Sequence, residues 1–187
     1  MNIDKKFSDI LDHLLGPKLH DHSGDKTICY LIFDMDDIIE VKKKLLQGWI
    51  DLATNKGFKV QVLSLHEVLK GFFQEDEYRI EAGELAAEDT YENEEVYASL
   101  GENVRNQSII ENAILEAQNQ VHNENGVLFI TDLEAIHPFT RFGPIEQNIY
   151  SEVRVPIVVF YPGEKSGTAL KFLGFFPEDG NYRSEHF

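Results

Sequence analysis

Cysteine is nearly absent from this chain: Cys29 is the one copy in 187 residues, so no internal disulfide can form. Long hydrophobic runs are missing too, and none approaches the ~20 residues that a membrane helix needs. The first residues, Met1-Asn-Ile-Asp-Lys-Lys-Phe-Ser-Asp, lack the apolar stretch of a signal peptide. These absences predict a protein of a reducing cytoplasm, away from membranes. Positive charge is scarce as well: 17 Lys and Arg face 33 Asp and Glu, a net charge of −16. Neutralising phosphates takes a basic face, so direct nucleic-acid binding is not expected. The one lysine cluster, Lys42-Lys43-Lys44, falls in a predicted helix and reads as facing water. Excess acid instead keeps a protein soluble and steers it toward basic partners.

What is present suits a globular protein. At 21.4 kDa with 42% hydrophobic residues, the chain predicts a single α/β domain over 1–187. A chain of this size buries roughly 70% of its unfolded surface. Ile3, Phe7, Ile10, Leu11, Leu14 and Leu15 recur at helical spacing and predict an opening amphipathic helix that Gly16-Pro17 stops. Thr27 to Phe33 is a buried strand. A helix from about Asp37 to Asn55 follows, with Ile38, Val41, Leu45, Trp49 and Leu52 on one stripe and Gly57 as its cap. Phe58 to Leu65 is a second strand, followed by a helix from about His66 to Phe73.

Residues 75 to 102 carry eleven acidic residues against Arg79, and their sparse tyrosines predict an acidic insert of short docked helices. Asn103 to Asn123 regains helical spacing through Ile110, Ile114 and Val121. Strands then run over Val127–Thr131 and Val155–Tyr161, with a short helix between them starting at Gly143-Pro144. Tyr161-Pro162-Gly163 reads as turn chemistry. Pro162 to Thr168 is too short for a parallel crossover, so Ala169–Phe175 should run antiparallel, at a sheet edge. The expected fold is three-layered, with a mostly parallel central sheet of about five strands.

Several residue groups invite a chemical reading. Leu31-Ile-Phe-Asp34-Met-Asp36-Asp37 looks like the first motif of the haloacid-dehalogenase-like phosphatases, a strand ending in Asp-x-Asp. That resemblance implies a magnesium-dependent phosphohydrolase. In it Asp34 would attack phosphorus, Asp36 would serve as acid/base, and Ser64 would bind phosphate. Asp37 replaces the glycine usual after the second aspartate, and no well-placed lysine precedes a terminal acidic pair. Capping is the simpler role: Asp36 or Asp37 at the start of the next helix, with Glu40 completing a capping box. Gly24-Asp25-Lys26-Thr27 is not a P-loop, because Asp25 splits the Gly-Lys pair and the segment precedes a strand. His20-Asp21-His22 with Asp25 finds no matching set elsewhere, so neither a metal nor a cofactor is expected. Cys29 and Trp49 read as core residues. A non-hydrolysing nucleotide sensor, with its ligand at the loops after Phe33, Leu65 and Thr131, is a further alternative.

Asp132, Glu134, His137 and Arg141 follow a strand end, where loops on a rigid scaffold carry binding groups. With Tyr161 and Arg183 they make up the candidate interaction or ligand surface. The pattern Pro156-Ile-Val-Val-Phe-Tyr-Pro-Gly163, Gly167, Leu170-Lys-Phe-Leu-Gly174 and Asn181-Tyr-Arg183 resembles the BrxB family of the BREX bacteriophage-exclusion systems. The Asp132-to-Arg141 segment is similar to that family's strand, acidic residue and Pro-Phe-x-Arg stretch. The resemblance implies a non-catalytic bacterial antiviral defence component that acts through protein–protein interaction, with no catalytic residues established for the family to be carried over. Its expected partners are a phosphatase-like protein, a large ATPase and the DNA methyltransferase. The acidic stretch around Glu84 to Glu95 is where the family pattern is not matched.

Overall fold

Six apolar or weakly polar residues in a row, Ile28 to Phe33, leave no polar face for water. Such a strand must be covered on both sides. A computed structural model describes residues 2–16, 28–75, 77, 79–80, 94–137, 139–166, 169–174 and 184–187. In it, β1 (Ile28–Phe33), β3 (Gly126–Thr131) and the first half of β4 (Ile157–Ser166) are buried on both faces. Together with β2 (Lys59–Ser64) and the two-residue β6 (Glu185–His186) they form a parallel sheet in the order β2-β3-β4-β1-β6.

Alternation along these strands builds two cores. Cys29, Leu31, Phe33, Val127, Phe129, Val158 and Phe160 point to the first face. There they meet α1 (Ile3–Leu14) and the crossover formed by α2 (Ile38–Lys44) and α3 (Ile50–Asn55). Ile28, Tyr30, Ile32, Leu128, Ile130, Ile157, Val159 and Tyr161 point to the second face. That face is covered by α4 (Leu65–Gln74), α5 (Glu94–Asn106), α6 (Ile109–Asn119) and α7 (Phe142–Ile149). The β1-to-β2 connection passes over the first face and skips two strands. The later crossovers return over the second face one strand at a time. Reversing direction with a change of face is what a common crossover hand requires.

Between α2 and α3 the helix widens into one π-turn, Leu45–Trp49. Its cause is visible in the burial pattern. Val41, Leu45, Trp49 and Ala53 are all in the core at a spacing of four. In an ideal α-helix each such step overshoots a full turn by about 40°. The extra residue per turn of a π-turn absorbs that drift and keeps the row against the sheet. Leu52, expected on the stripe, is 37% exposed in consequence, and Ala53 takes its place. Gly57, at φ 96°, ends this segment as expected.

Other boundaries moved for local reasons. The helix expected over 103–123 is two elements: α5 ends at Asn106, and Ser108 in a left-handed conformation (φ 50°) starts α6. Asp37 and Asp34 make no side-chain cap, so the expected capping box is not formed. Tyr161-Pro162-Gly163 is strand, not turn. Pro162 is the last β4 residue in register with β1, and its carbonyl accepts from Leu173. The overhang of β4 then pairs with the antiparallel strand β5 (Ala169–Phe172). A Cβ at Gly163 would lie 2.3 Å from the Lys171 carbonyl oxygen, so only glycine lets β5 come this close. β6 had no expected counterpart. It docks beside β1 through Phe187 N–H to the Tyr30 carbonyl and Ile32 N–H to the Phe187 carbonyl.

α1 is held to the first face by an aromatic stack. Phe7, fully buried, lies on Trp49 with ring centroids 4.5 Å apart and meets Phe129 edge-on at 5.8 Å. Trp49 donates its indole N–H to Asp4, and Lys44 bonds the same carboxylate at 2.6 Å. Phe7→Ala should cost about 3–5 kcal/mol, the range for emptying an aromatic site in a packed core. Chemical denaturation followed by circular dichroism would read it; a loss under about 1 kcal/mol would mean that α1 is not part of this core.

Candidate functional site

Carboxyl ends of parallel strands collect loops, and a crossover that spans two strands leaves a crevice beneath it. Here α2 rides over the ends of β2, β3 and β4 and borders a half-open cavity of about 290 Å³ on the first face. Its wall is apolar: Phe33, Val62 and Phe160 from the sheet, Ile38, Val41, Leu45 and Leu46 from the crossover. Polar groups sit along the lip, from Ser64 and Thr131 at two strand ends, Asp132 and Glu134 just beyond β3, and Lys42 on α2.

Those polar groups form one connected set. Lys42 Nζ lies 2.6 Å from Asp132 Oδ1 and 2.7 Å from Glu134 Oε1. The Ser64 hydroxyl donates to Asp132 Oδ2 at 2.6 Å and the Thr131 hydroxyl to the same oxygen at 3.0 Å. The Ser64 oxygen also accepts from the Glu67 N–H and so caps α4. Asp132 adopts a left-handed backbone (φ 58°) that turns its side chain back over the strand ends, a conformation aspartate tolerates better than most residues. Burial works to raise the Asp132 pKa. The hydrogen bonds from Lys42, Ser64 and Thr131 and the Lys42 charge outweigh it, and the carboxyl is held below its ordinary value. Burial likewise works against the Lys42 ammonium, but its bonds to Asp132 and Glu134 prevail and raise its pKa.

The expected residues are therefore regrouped. Asp132 and Glu134 stay together at the cavity. His137 and Arg141 line a separate small hollow against Tyr161 and Phe172 on the second face. Burial, then the Arg141 charge, lowers the His137 pKa. Tyr161 is 1% exposed and belongs to the core between Tyr30 and Phe172, so it is not part of a surface. Arg183 lies outside the described residues, as do His20, Asp21, His22 and Asp25. Of the phosphatase-like set, Asp34 lines another cavity of about 500 Å³, with Asp37, Lys6 and Lys165, whereas Ser64 lines the first. Asp36 is exposed. Among the described residues no three His, Cys, Asp or Glu side chains converge as metal ligands.

Lys42 is the residue that sequence reasoning missed. Its partners are 90 and 92 positions away, and no local signal links a helix lysine to the end of a distant strand. Lys44 likewise engages Asp4 and Glu40, so two of the three clustered lysines are held by carboxylates.

The fold and this hollow define a doubly wound α/β protein with a lipped cavity at its strand ends. Residues 61–187 match the family model described as BREX protein BrxB. Over 189 aligned residues the chain is 23% identical to the BREX protein BrxB of Bacillus cereus (strain H3081.97), covering 97% of this chain and 95% of that relative. No solved structure matches it. The chain belongs to the BrxB family of BREX proteins.

Removing the Asp132 charge tests the lip. Asp132→Asn keeps the backbone turn but loses the Lys42 pairing, and should cost about 1–2 kcal/mol at neutral pH. Asp132→Val should cost about 1–2 kcal/mol more, because a β-branched residue resists the left-handed conformation. A lowered folded pKa gives stability that is present above the ordinary value of 3.8 and lost as pH falls through the folded value. The gap between wild type and Asp132→Asn in urea melts should therefore close on acidification below about pH 4. A gap that persists unchanged there would contradict this charge assignment.

Proposed function

We propose that this protein is a non-catalytic component of a BREX anti-phage defence system, working in the bacterial cytoplasm by binding other BREX proteins. Family membership supports the system. The lip of the cavity carries the rest of the reading. Lys42 sits between Asp132 and Glu134, and the Ser64 and Thr131 hydroxyls are turned onto the same aspartate. A nucleophile needs a base beside it and a reacting atom in front of it. Here the hydroxyls donate to a carboxylate whose basicity is lowered, which makes it a poor general base and suits a fixed recognition surface. The exposed apolar residues of the first crossover, Ile39 at 68% and Leu46 at 78%, add the character of a docking face.

The partners we propose are the phosphatase-like protein and the large ATPase of the system, with the DNA methyltransferase as a further one. Co-expression of tagged protein with these components should recover at least one of them in a stable complex. Recovery of none would contradict the proposal. The phosphohydrolase reading has its own test, a generic phosphate ester assayed with Mg²⁺. Wild type and Asp34→Asn should be equally inactive. Turnover that disappears in Asp34→Asn would make the protein an enzyme.

A further inference from the structure

The cavity under α2 has features that a bare hollow in a packed protein lacks. Its volume, about 290 Å³, falls just under the ~300–1,000 Å³ common for small-molecule sites. On the side of the crossover its edge is apolar and wet: Leu46 lines the hollow yet is 78% exposed, and Ile39 and Met35 on the same segment are also exposed. A ligand small enough to fill the hollow would leave that apron in water, whereas a protein surface would cover it. The π-turn that carries Leu45 and Leu46 is a feature often kept at functional sites. The lip sets two carboxylates against one ammonium, in a chain whose net charge is −16, so the complement it favours is cationic.

Lys42 occupies the place that such a cation would take. Its side chain is long, half-exposed, and reaches the carboxylate pair from the rim. Exchanging one ammonium for another leaves neither carboxylate buried and unpaired, which is the costly outcome in closing a charged interface. Ser64 and Thr131 hold Asp132 in position throughout.

We propose that the cavity receives one large apolar side chain of a partner protein, and that a lysine or arginine beside it on the partner displaces Lys42 from Asp132 and Glu134. This rests on the protein-binding reading above and specifies its contact.

The test is the association of the full chain with each purified BREX component, measured on a biosensor for wild type, Leu46→Asp, Glu134→Gln and Lys42→Met. Leu46→Asp, a change at an exposed site that leaves the fold intact, should weaken binding by more than about tenfold. Glu134→Gln should weaken it about three- to fivefold. Lys42→Met removes the competing ammonium while keeping the apolar stem, and should tighten binding about three- to fivefold. Thermal melts of each variant check that all are folded. If wild type binds a component and Leu46→Asp binds it equally well, the contact is elsewhere and this inference fails while the protein-binding reading stands. If Lys42→Met weakens binding as Glu134→Gln does, Lys42 is part of the contact and the displacement is wrong. If wild type binds no component, the reading and the inference fall together. Self-association that Leu46→Asp abolishes without changing partner binding would assign the cavity to a second copy of this chain and overturn the proposal.

Discussion

Burial of three adjacent strands on both faces is the constraint from which the rest of this structure follows. β3, β4 and β1 alternate their side chains between two cores, so each face needs its own helical layer. A parallel sheet covered on both sides also needs long crossovers, and the first of these must pass over two strands to reach β2. That span puts α2 above the strand ends. It brings Lys42 to Asp132 and roofs a hollow floored by Phe33, Val62 and Phe160. The site is a by-product of topology, refined by a few side chains.

The π-turn shows how a packing requirement reaches the site. A row of core residues spaced by four cannot stay on one face of a regular α-helix, and one widened turn restores it. The same adjustment moves Leu52 outward and Ala53 inward. The widened turn carries Leu45 into the cavity wall and Leu46 onto its open rim. A change that regularised this helix would alter both the core and the exposed edge of the cavity. The proposed docking face and the core share one turn of backbone.

Much of the fold was legible in the sequence, because two-faced strands and amphipathic helices advertise themselves by period. Ile28–Phe33 and Gly126–Thr131 fall almost where apolar runs place them, and α7 follows Ile145 and Ile149. Tyr161-Pro162-Gly163 carries local turn signals in its Pro and Gly, but these residues serve the point where β4 leaves β1 and admits β5. The site was half legible. Asp132 and Glu134 follow a strand end and so stood out. His137 and Arg141 are close to them in sequence, but the short 3₁₀ helix Leu133–Ile136 carries the chain to the other face. Lys42 was invisible, since its meaning depends on a contact across 92 positions. The family resemblance rested on the C-terminal third, and the match over 61–187 bears it out.

In the proposed function the protein acts by recognition, through the face formed by α2 and the loop after β3. Amide hydrogen exchange on the protein alone and with each BREX component that it binds decides whether it does. Protection should be gained over residues 35–49 and 131–137. Protection confined to other segments, with those two unchanged, would contradict that proposal.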